Sequence, residues 1–371
     1  MGGVDRLVVI KQLYPELSQD PELVAMFLDE ARLGAKLIHP NVVYTLDLGQ
    51  ESGRAFIALE YLEGMTVGQL AGRARQRLPG GLPPPLVVAI MRDAARGLHA
   101  AHEARMPDGS ALNIVHRDVS PQNVVVTYGG EVKIVDFGVA HAAVREARTQ
   151  VGQVKGKLAY MAPEQCKGLT VDRRTDVFAV GVVLWELLTG QRLFKRASRL
   201  ETYKAIFAGA GQPPSQLDRR VDPALDAIVM RALALDPARR PQTAAALADE
   251  LEAWLLARGV GPTAPHLAAF TAHHFAPEIA LHRQRIGELR EGRPVSGPLV
   301  AETWDGDDDP PSSRASRASR ATTAGPEERT VVADRAAAPR PGMAPTLKGL
   351  LMLAALIVFA VAVALLVRLL R

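Results

Sequence analysis

Hydrophobic residues in the first sixty positions follow the spacings of strands and of one helix. The run LVVI at residues 7–10 is continuous and apolar, which predicts a buried strand ending at Lys11. Residues 21–37 carry apolar side chains at helical spacing, and Pro21 suits the first turn of a helix. The segments HPNVV and RAFIALEYLEG indicate two further strands. We therefore expect the order strand–helix–strand–strand.

From residue 85 onward the spacing becomes mainly helical. Apolar residues three or four positions apart predict helices over 85–104, 175–189, 223–233 and 243–257. Two short strands, near 124–126 and 132–135, are separated by a Gly-Gly dipeptide that is typical of a hairpin. The pattern predicts an α+β fold in which a small β-rich region precedes a larger helical region.

The character of the chain changes again after residue 260. Residues 262–290 predict one or two amphipathic helices, whereas residues 291–348 are rich in Pro, Ser, Ala and charges without apolar periodicity. Such a composition cannot bury enough surface to offset ordering entropy, so it predicts a disordered linker. Residues 349–367 are nineteen consecutive apolar residues. A helix of that length spans ~28 Å, close to a bilayer's hydrocarbon core, which predicts a transmembrane helix.

Composition and charge narrow the classes of function. With 48% hydrophobic and 23% charged residues, the 371-residue chain is ordinary globular material. A net charge of only +4 argues against a nucleic-acid partner, because such proteins concentrate basic residues. Cys166 is the single cysteine, which excludes an intrachain disulfide framework and a multi-cysteine metal site and suits a reducing compartment.

Several short motifs occur in a fixed order. They are VVIK at 8–11, a Glu-Ala pair at Glu30, HRDVSPQN at 116–123, DFG at 136–138, APE at 162–164, DVFAVG at 176–181 and Arg240-Pro241. On these motifs the chain resembles the eukaryotic-type Ser/Thr protein kinases of bacteria, over residues 4 to about 257. The resemblance implies a bilobal kinase fold with a small β-rich N-lobe and a large helical C-lobe, and the use of ATP and Mg²⁺.

The resemblance and the composition together predict five segments. They are an incomplete N-lobe with the hinge at 1–62, a C-lobe at 63–260, a helical extension at 261–290, a disordered linker at 291–348 and a transmembrane helix at 349–367. Only ten residues precede Lys11, and they contain no G-x-G-x-x-G. Two explanations stay open: the true start lies upstream, or the N-lobe lacks its first strands and the loop that covers the phosphates.

The resemblance also implies the nucleotide-binding residues. Lys11 would bind the α- and β-phosphates of ATP, and Glu30 would hold its ammonium group in place. Glu60 and Leu62, in the segment LEYLEG, would offer backbone groups to the adenine from the hinge. An alternative interpretation of Lys11 and Glu30 is a pair of solvated charges.

The catalytic and metal-binding residues follow from the same resemblance. Asp118 would accept the proton of the substrate hydroxyl, and phosphoryl transfer depends mainly on positioning and charge neutralisation. Asn123 and Asp136 would supply the hard oxygen ligands that Mg²⁺ prefers. Pro121 favours Ser/Thr over Tyr as the acceptor, again by resemblance.

Five further residues are predicted to regulate or brace the domain. Arg117 would dock a phosphate carried by Thr149, ordering the segment 139–161 through a bidentate contact. Alternatively, Thr149 is an ordinary polar loop residue. Glu164 and Arg240 match an ion pair that fastens this segment to the helical lobe, and Asp176 is assigned a structural role.

Ser120 departs from the family pattern. The catalytic loop normally carries a lysine at this position, and losing that cation costs on the order of 10²–10³ in rate if nothing replaces it. In GKLAYMAPE, Lys157 stands where related Ser/Thr kinases usually have a threonine. We therefore expect Lys157 to reach towards Asp118, with Ser120 making room. The alternative is two independent losses, with Lys157 pointing to solvent.

These features predict a membrane-tethered bacterial Ser/Thr protein kinase. The start of the chain does not have the pattern of a signal peptide, and ATP is cytosolic, so we expect a single-pass protein of the bacterial inner membrane with its kinase domain in the cytoplasm. The expected partners are protein substrates and a second copy of the chain, in a homodimer for autophosphorylation. Two alternatives are a pseudokinase that binds partners without phosphotransfer, and a soluble kinase whose final helix packs internally.

Overall fold

The computed structural model accounts for most of the two predicted lobes and for the helical extension. It describes residues 7–13, 17–51, 54–137, 157–261, 263–291 and 293, and the backbone of 330–333. Thr149, the apolar segment 349–367 and most of the predicted linker therefore lie outside the described residues. So does the side chain of Glu30, although its backbone belongs to a helix.

A small antiparallel sheet and one helix form the N-lobe. Its elements are β1 (Val8–Gln12), α1 (Pro21–Gly34), β2 (Thr45–Glu51) and β3 (Arg54–Glu60). β1 pairs with β3 so that Lys11 lies opposite Ile57. Asp20 caps α1 by accepting hydrogen bonds from the backbone amides of Glu22 and Leu23. A small core packs α1 against the sheet; it comprises Leu13, Phe27, Ala31, Ala55 and Ile57.

A fourth strand lies on the other edge of β1. β7 (Thr330–Ala333) pairs antiparallel with β1, with Thr330 opposite Lys11, which gives the sheet order β2-β3-β1-β7. The sequence analysis predicted no strand within the linker at 291–348. Thr-Val-Val has high strand propensity and an edge strand offers unpaired backbone groups, but four residues are too few for a periodic pattern to show.

The C-lobe is mainly helical. Its elements are β4 (Gly64–Thr66), α2 (Val67–Arg77), α3 (Pro84–His102), β5 (Val124–Thr127), β6 (Val132–Ile134), α4 (Pro163–Cys166), α5 (Arg174–Thr189), α6 (Arg199–Ala208), α7 (Pro223–Ala232) and α8 (Ala244–Leu256). α3 packs against α5, α8 and β6. α5 is buried along Thr175 to Leu188, as expected of a helix that is apolar on nearly every side. The predicted bilobal α+β fold with a helical C-lobe is confirmed.

Two helices follow the C-lobe, where the sequence predicted one or two. They are α9 (Thr263–His274) and α10 (Ala276–Arg290), and Leu267 and Phe275 are fully buried in the C-lobe core. α9 lies so close to the β5–β6 turn that a Cβ atom on Gly130 would lie 1.9 Å from the Ala264 carbonyl oxygen. Gly130 also has a φ of +86°, so both the close contact and the backbone conformation require glycine at this position.

The described helices also bear on the membrane prediction. None of them combines the length and the apolar character needed to cross a bilayer. The segment predicted to do so, residues 349–367, lies outside the described residues.

Candidate active site

Asp176 fixes the loop at residues 116–123, which joins α3 to β5. It is fully buried at the start of α5, and its carboxylate accepts hydrogen bonds of 2.8 Å each from the backbone amides of His116 and Arg117 and from His102 Nε2. Burial by itself would raise the pKa of Asp176, but the His102 hydrogen bond and the surrounding donors outweigh it and leave that pKa lowered. An ionised Asp176 therefore holds the loop in place, consistent with the predicted structural role.

Arg117 adopts a left-handed backbone conformation with a φ of 64°. Its carbonyl oxygen accepts a hydrogen bond of 3.1 Å from Gln165 Nε2, which ties the loop to α4. The predicted phosphate partner of Arg117, on Thr149, lies outside the described residues, so the docking role of Arg117 stays a prediction.

The Asp118 carboxylate contacts both an amide and an ammonium group. Asn123 Nδ2 donates to the Asp118 backbone oxygen at 2.8 Å and to Asp118 Oδ2 at 3.0 Å. Lys157 Nζ lies 2.5 Å from the same Oδ2 atom. The structure thus brings together three of the predicted residues, Asp118, Asn123 and Lys157, around one carboxylate oxygen.

Lys157 is presented by a short 3-10 turn, Lys157–Tyr160. The turn is anchored because Leu158 is buried and Tyr160 donates to Glu186 Oε2 at 2.9 Å. On the loop, Ser120 is also buried, and its hydroxyl has no hydrogen-bond partner among the described residues. Lys157 thus lies beside Asp118, as expected if it replaces the lysine that is absent at Ser120. The catalytic role of Lys157 stays a prediction.

Asp136 meets Lys11 from the other lobe. Lys11 Nζ donates to Asp136 Oδ1 at 3.2 Å. The neighbouring residues tie Asp136 to the catalytic loop, since the Val135 amide donates to the Asn123 carbonyl at 3.0 Å and the Val135 carbonyl lies 3.1 Å from His116 Nε2. Both lobes therefore contribute a charged group at this point.

Glu60 and Leu62 lie where the chain passes between the lobes. Glu60 Oε1 accepts from Lys133 Nζ at 2.7 Å and from the Tyr44 amide at 2.9 Å, and Lys133 is buried beneath the Tyr44 ring. The Glu60 side chain is therefore engaged in structure, so any role in binding a ligand falls to the backbone, as the resemblance implies.

A cavity of about 290 Å³ lies between the lobes. Lys11 and Asp136 line one part of it and Glu60 and Leu62 another, with the apolar side chains of Val9, Val43, Leu59, Met65, Val125 and Val135 along its walls. Four further lining residues come from α10: Glu278, Leu281, His282 and Arg285. Sequence reasoning missed them because they lie outside every motif, and the amphipathic pattern of 262–290 was the only available signal.

Glu164 and Arg240 form a bidentate ion pair, with Nη1–Oε1 and Nη2–Oε2 distances of 2.7 Å and 2.9 Å. Burial tends to raise the pKa of Glu164, but the Arg240 hydrogen bonds and one from Thr175 outweigh it, so that pKa is lowered. The pair joins α4 to the segment between α7 and α8, the architectural role predicted for it.

Two of the predicted ligands suit a hard divalent cation. Because Asn123 Nδ2 is turned towards Asp118, its amide oxygen is the side-chain atom that can bind a cation, and the Asp136 carboxylate lines the cavity. Within the described ranges there is no cluster of three or more His, Cys, Asp or Glu residues able to hold a metal without help. A cation here would need further oxygen ligands, such as the phosphates of a nucleotide.

Comparison with known proteins agrees with this geometry. Residues 3–251 match the protein kinase domain. The chain is 46% identical over 290 residues to tyrosine-protein kinase MasK of Myxococcus xanthus, covering 77% of this chain and 44% of that protein. It is 34% identical over 286 residues to serine/threonine-protein kinase pkn3 of Myxococcus xanthus, covering 74% and 50%. The chain thus spans about half the length, or less, of these two relatives.

A further relative is serine/threonine-protein kinase PknB of Mycobacterium leprae, 35% identical over 251 residues, which covers 66% of this chain and 38% of that protein. Among solved structures, the PknI kinase domain of Mycobacterium tuberculosis is 28% identical, with a TM-score of 0.49 and coverage of 66% of this chain and 83% of that one. On the match over residues 3–251, the chain belongs to the protein kinase family, among its bacterial members of the eukaryotic type.

Proposed function

We propose that the chain is a protein kinase that transfers the γ-phosphate of ATP to Ser/Thr hydroxyls of proteins. The observation that carries the proposal is the arrangement at Asp118, whose buried carboxylate is held by Asn123 and contacted by Lys157. Phosphoryl transfer requires a positioned acceptor for the hydroxyl proton and cations around the transferred group, and this site supplies both.

Asp118 acts as the proton acceptor. As the substrate hydroxyl oxygen forms its bond to phosphorus, the bond to the leaving ADP oxygen breaks and the hydroxyl proton passes to the Asp118 carboxylate. Asn123 orients this carboxylate through its hydrogen bonds to Asp118. Lys157 supplies positive charge beside the reacting groups, replacing the lysine that Ser120 displaces from the loop.

Lys11 and Asp136 serve the nucleotide. The ammonium group of Lys11, at the wall of the cavity, binds the phosphates. Asp136 and Asn123 provide oxygen ligands for Mg²⁺. When bound, Mg²⁺ neutralises phosphate charge; the protein residues determine where that charge is held.

The nature of the acceptor is the sharpest alternative within this class. MasK, the relative with 46% identity, is named a tyrosine-protein kinase, whereas pkn3 and PknB are named serine/threonine-protein kinases. The second candidate class is a pseudokinase that binds partners without transferring phosphate. It is disfavoured because Lys11, Asp118, Asn123 and Asp136 are all present and placed around one site.

The test is incubation of the full chain with radiolabelled ATP, Mg²⁺ and a mixed protein substrate, followed by phosphoamino-acid separation. Label on serine and threonine in the wild type, and none with the Asp118→Asn variant, is the expected result. Label on tyrosine alone would indicate a tyrosine-protein kinase, the activity in the name of MasK. No label, with nucleotide still bound, would support the pseudokinase.

The same proposal places the protein at the bacterial inner membrane, anchored once by residues 349–367 with the kinase domain in the cytoplasm. The nineteen-residue apolar run supports this anchor. Sedimentation of the full chain with membranes, and its loss from that fraction when residues 349–367 are deleted, is the expected result. Recovery of the full chain in the supernatant would favour the alternative of an internally packed helix.

Autophosphorylation at Thr149 within a homodimer is a further part of the proposal. Arg117, which lies next to Asp118 on the catalytic loop, supplies the guanidinium for a phosphate on this threonine. Mass spectrometry of the wild type and of Asp118→Asn after incubation with ATP tests this. Phosphate on Thr149 in the wild type alone is expected, and a wild type unmodified at Thr149 contradicts it.

A further inference from the structure

Helix α10 forms one wall of the cavity between the lobes. The same 290 Å³ space that Lys11 and Asp136 line is also lined by Glu278, Leu281, His282 and Arg285 of this helix. The kinase-domain match ends at residue 251, so these four residues lie outside the part of the chain that defines the family. They are therefore candidates for ligand contacts that the motifs do not assign.

The helix before α10 is anchored in the C-lobe. Arg92, a buried residue of α3, donates to Thr263 Oγ1 at 2.7 Å where α9 begins. Leu267 is fully buried at the middle of α9 and Phe275 at its end. Buried apolar side chains and a satisfied buried arginine fix α9 on the lobe, so α10 leaves from a fixed point.

Glu278 then attaches α10 to α2. Its carboxylate accepts from Arg73 at 2.8 Å and from Arg77 Nη1 at 3.1 Å, and Arg77 Nη1 also donates to the His274 carbonyl at 2.6 Å. Burial would raise the pKa of Glu278, but the hydrogen bonds from Arg77 outweigh it and keep that pKa lowered. Glu278 is thus held ionised between two arginines, which sets the direction of the helix.

His282 joins α10 to the segment between the lobes. Its ring stacks on Tyr61 with a centroid distance of 5.7 Å and an interplanar angle of 24°, and it hydrogen-bonds to the Tyr61 hydroxyl. It also meets the Tyr128 ring edge-on at 5.5 Å. Tyr61 lies between Glu60 and Leu62, so His282 stands at the hinge end of the cavity.

We propose that His282 and Leu281 form the outer wall of the site for the base and ribose of the nucleotide, and that Glu278 positions this wall. The inference rests on the proposed function, because it assigns residues to the nucleotide of that same site. The bound ligand class is a purine nucleoside or nucleotide. In this assignment the phosphates would bind beside Lys11, which lines the same cavity.

Adenosine and ATP distinguish contacts with the base and ribose from contacts with the phosphates. Titration calorimetry of the full chain with adenosine, and with ATP plus Mg²⁺, measures each affinity for the wild type, His282→Ala, Glu278→Gln and Lys11→Met. His282→Ala should weaken adenosine and ATP by the same factor, about three- to tenfold, the size expected for one aromatic or hydrogen-bonded contact. Glu278→Gln should show the same pattern, and Lys11→Met should weaken ATP but not adenosine.

Gln284→Ala is the matched control, because Gln284 lies on α10, is exposed, and donates a hydrogen bond of 2.9 Å to Glu288 of the same helix. It should bind both ligands as the wild type does. Unchanged affinities in His282→Ala, or tighter binding of adenosine, would overturn the inference, the second outcome showing that α10 obstructs the site. A wild type that binds neither ligand would instead overturn the proposed function.

Discussion

Two lysine–carboxylate pairs lie at the candidate active site. In one pair the carboxylate is buried and the lysine is exposed, and in the other the lysine is buried and the carboxylate is exposed. In the Lys157–Asp118 pair the lysine side chain is 43% exposed and the carboxylate 4%. In the Lys11–Asp136 pair the lysine is 10% exposed and the carboxylate 38%. Each pair therefore has one member fixed inside a lobe and one that stays open to solvent.

The buried member shows what positions each pair. Asp118 is held by Asn123 within the catalytic loop, whereas Lys11 is held by the pairing of β1 with β3. Because the open members contribute little buried surface, replacing them should change chemistry more than folding. The Glu164–Arg240 pair is the opposite case, with both side chains largely buried, and replacing either should change folding first.

The largest effect is expected at Asp118. Asp118→Asn keeps the shape of the side chain and removes the proton acceptor, so transfer should fall by about 10²–10⁴ or below detection. The affinity for ATP should stay within twofold, because Asp118 does not line the cavity. Single-turnover transfer and calorimetry measure the two quantities, and a transfer rate close to that of the wild type would remove Asp118 from the mechanism.

Arg240→Met should mainly lower stability. It leaves the Glu164 carboxylate without its bidentate partner, which costs about 3–5 kcal/mol in the free energy of unfolding. The matched control is Arg231→Met, which breaks a more exposed pair with Glu250 and should cost less than about 1 kcal/mol. Urea unfolding measures both, and equal losses in the two variants would contradict the distinction between buried and exposed pairs.

Lys11→Met should reduce transfer by about 10²–10³ through loss of the phosphate cation. Its thermal midpoint should stay close to that of the wild type, because the carboxylate that it leaves, Asp136, is 38% exposed and stays solvated, unlike Glu164. Lys204→Met, at an exposed position on α6, is the control for removing a lysine. Transfer at the wild-type rate in Lys11→Met would show that another group binds the phosphates.

A smaller effect is expected in acid. The pKa of Glu164 is lowered in the folded protein, so its contribution to stability is complete above the unfolded value of about 4.3 and is lost as pH falls through the lower folded value. Glu164→Gln should therefore lose less stability than the wild type between about pH 5 and pH 3. Unfolding midpoints over that range test it; parallel curves would contradict the assignment.

Local patterns predicted much of this molecule. Apolar spacing located the main C-lobe helices, and the Gly-Gly dipeptide located the hairpin between β5 and β6. Both signals are local, since each involves residues that are close together in the sequence. The family resemblance, carried by the order of the motifs, implied that Asp118, Asn123 and Asp136 belong to one site. The expectation that Lys157 lies near Asp118 came from the family resemblance rather than from spacing.

Contacts between distant segments could not be read from local patterns. The contact of Lys11 with Asp136 was not predicted. The predicted contact of Lys11 with Glu30 stays a prediction, because the Glu30 side chain lies outside the described residues. The wall built by Leu281 and His282 depends on the docking of α10, and a single histidine in an amphipathic helix carries no sign of its partner. β7 likewise depends on the edge of β1 and not on its own four residues.

The central claim is that Lys157 supplies the cation that the catalytic loop lacks at Ser120. The direct measurement is the single-turnover rate of transfer by Lys157→Ala, with Lys167→Ala as the control for removing an exposed lysine. We expect a loss of about 10²–10³ for Lys157→Ala, no loss for the control, and retained transfer in the double variant Ser120→Lys with Lys157→Thr. Transfer at the wild-type rate by Lys157→Ala would contradict it.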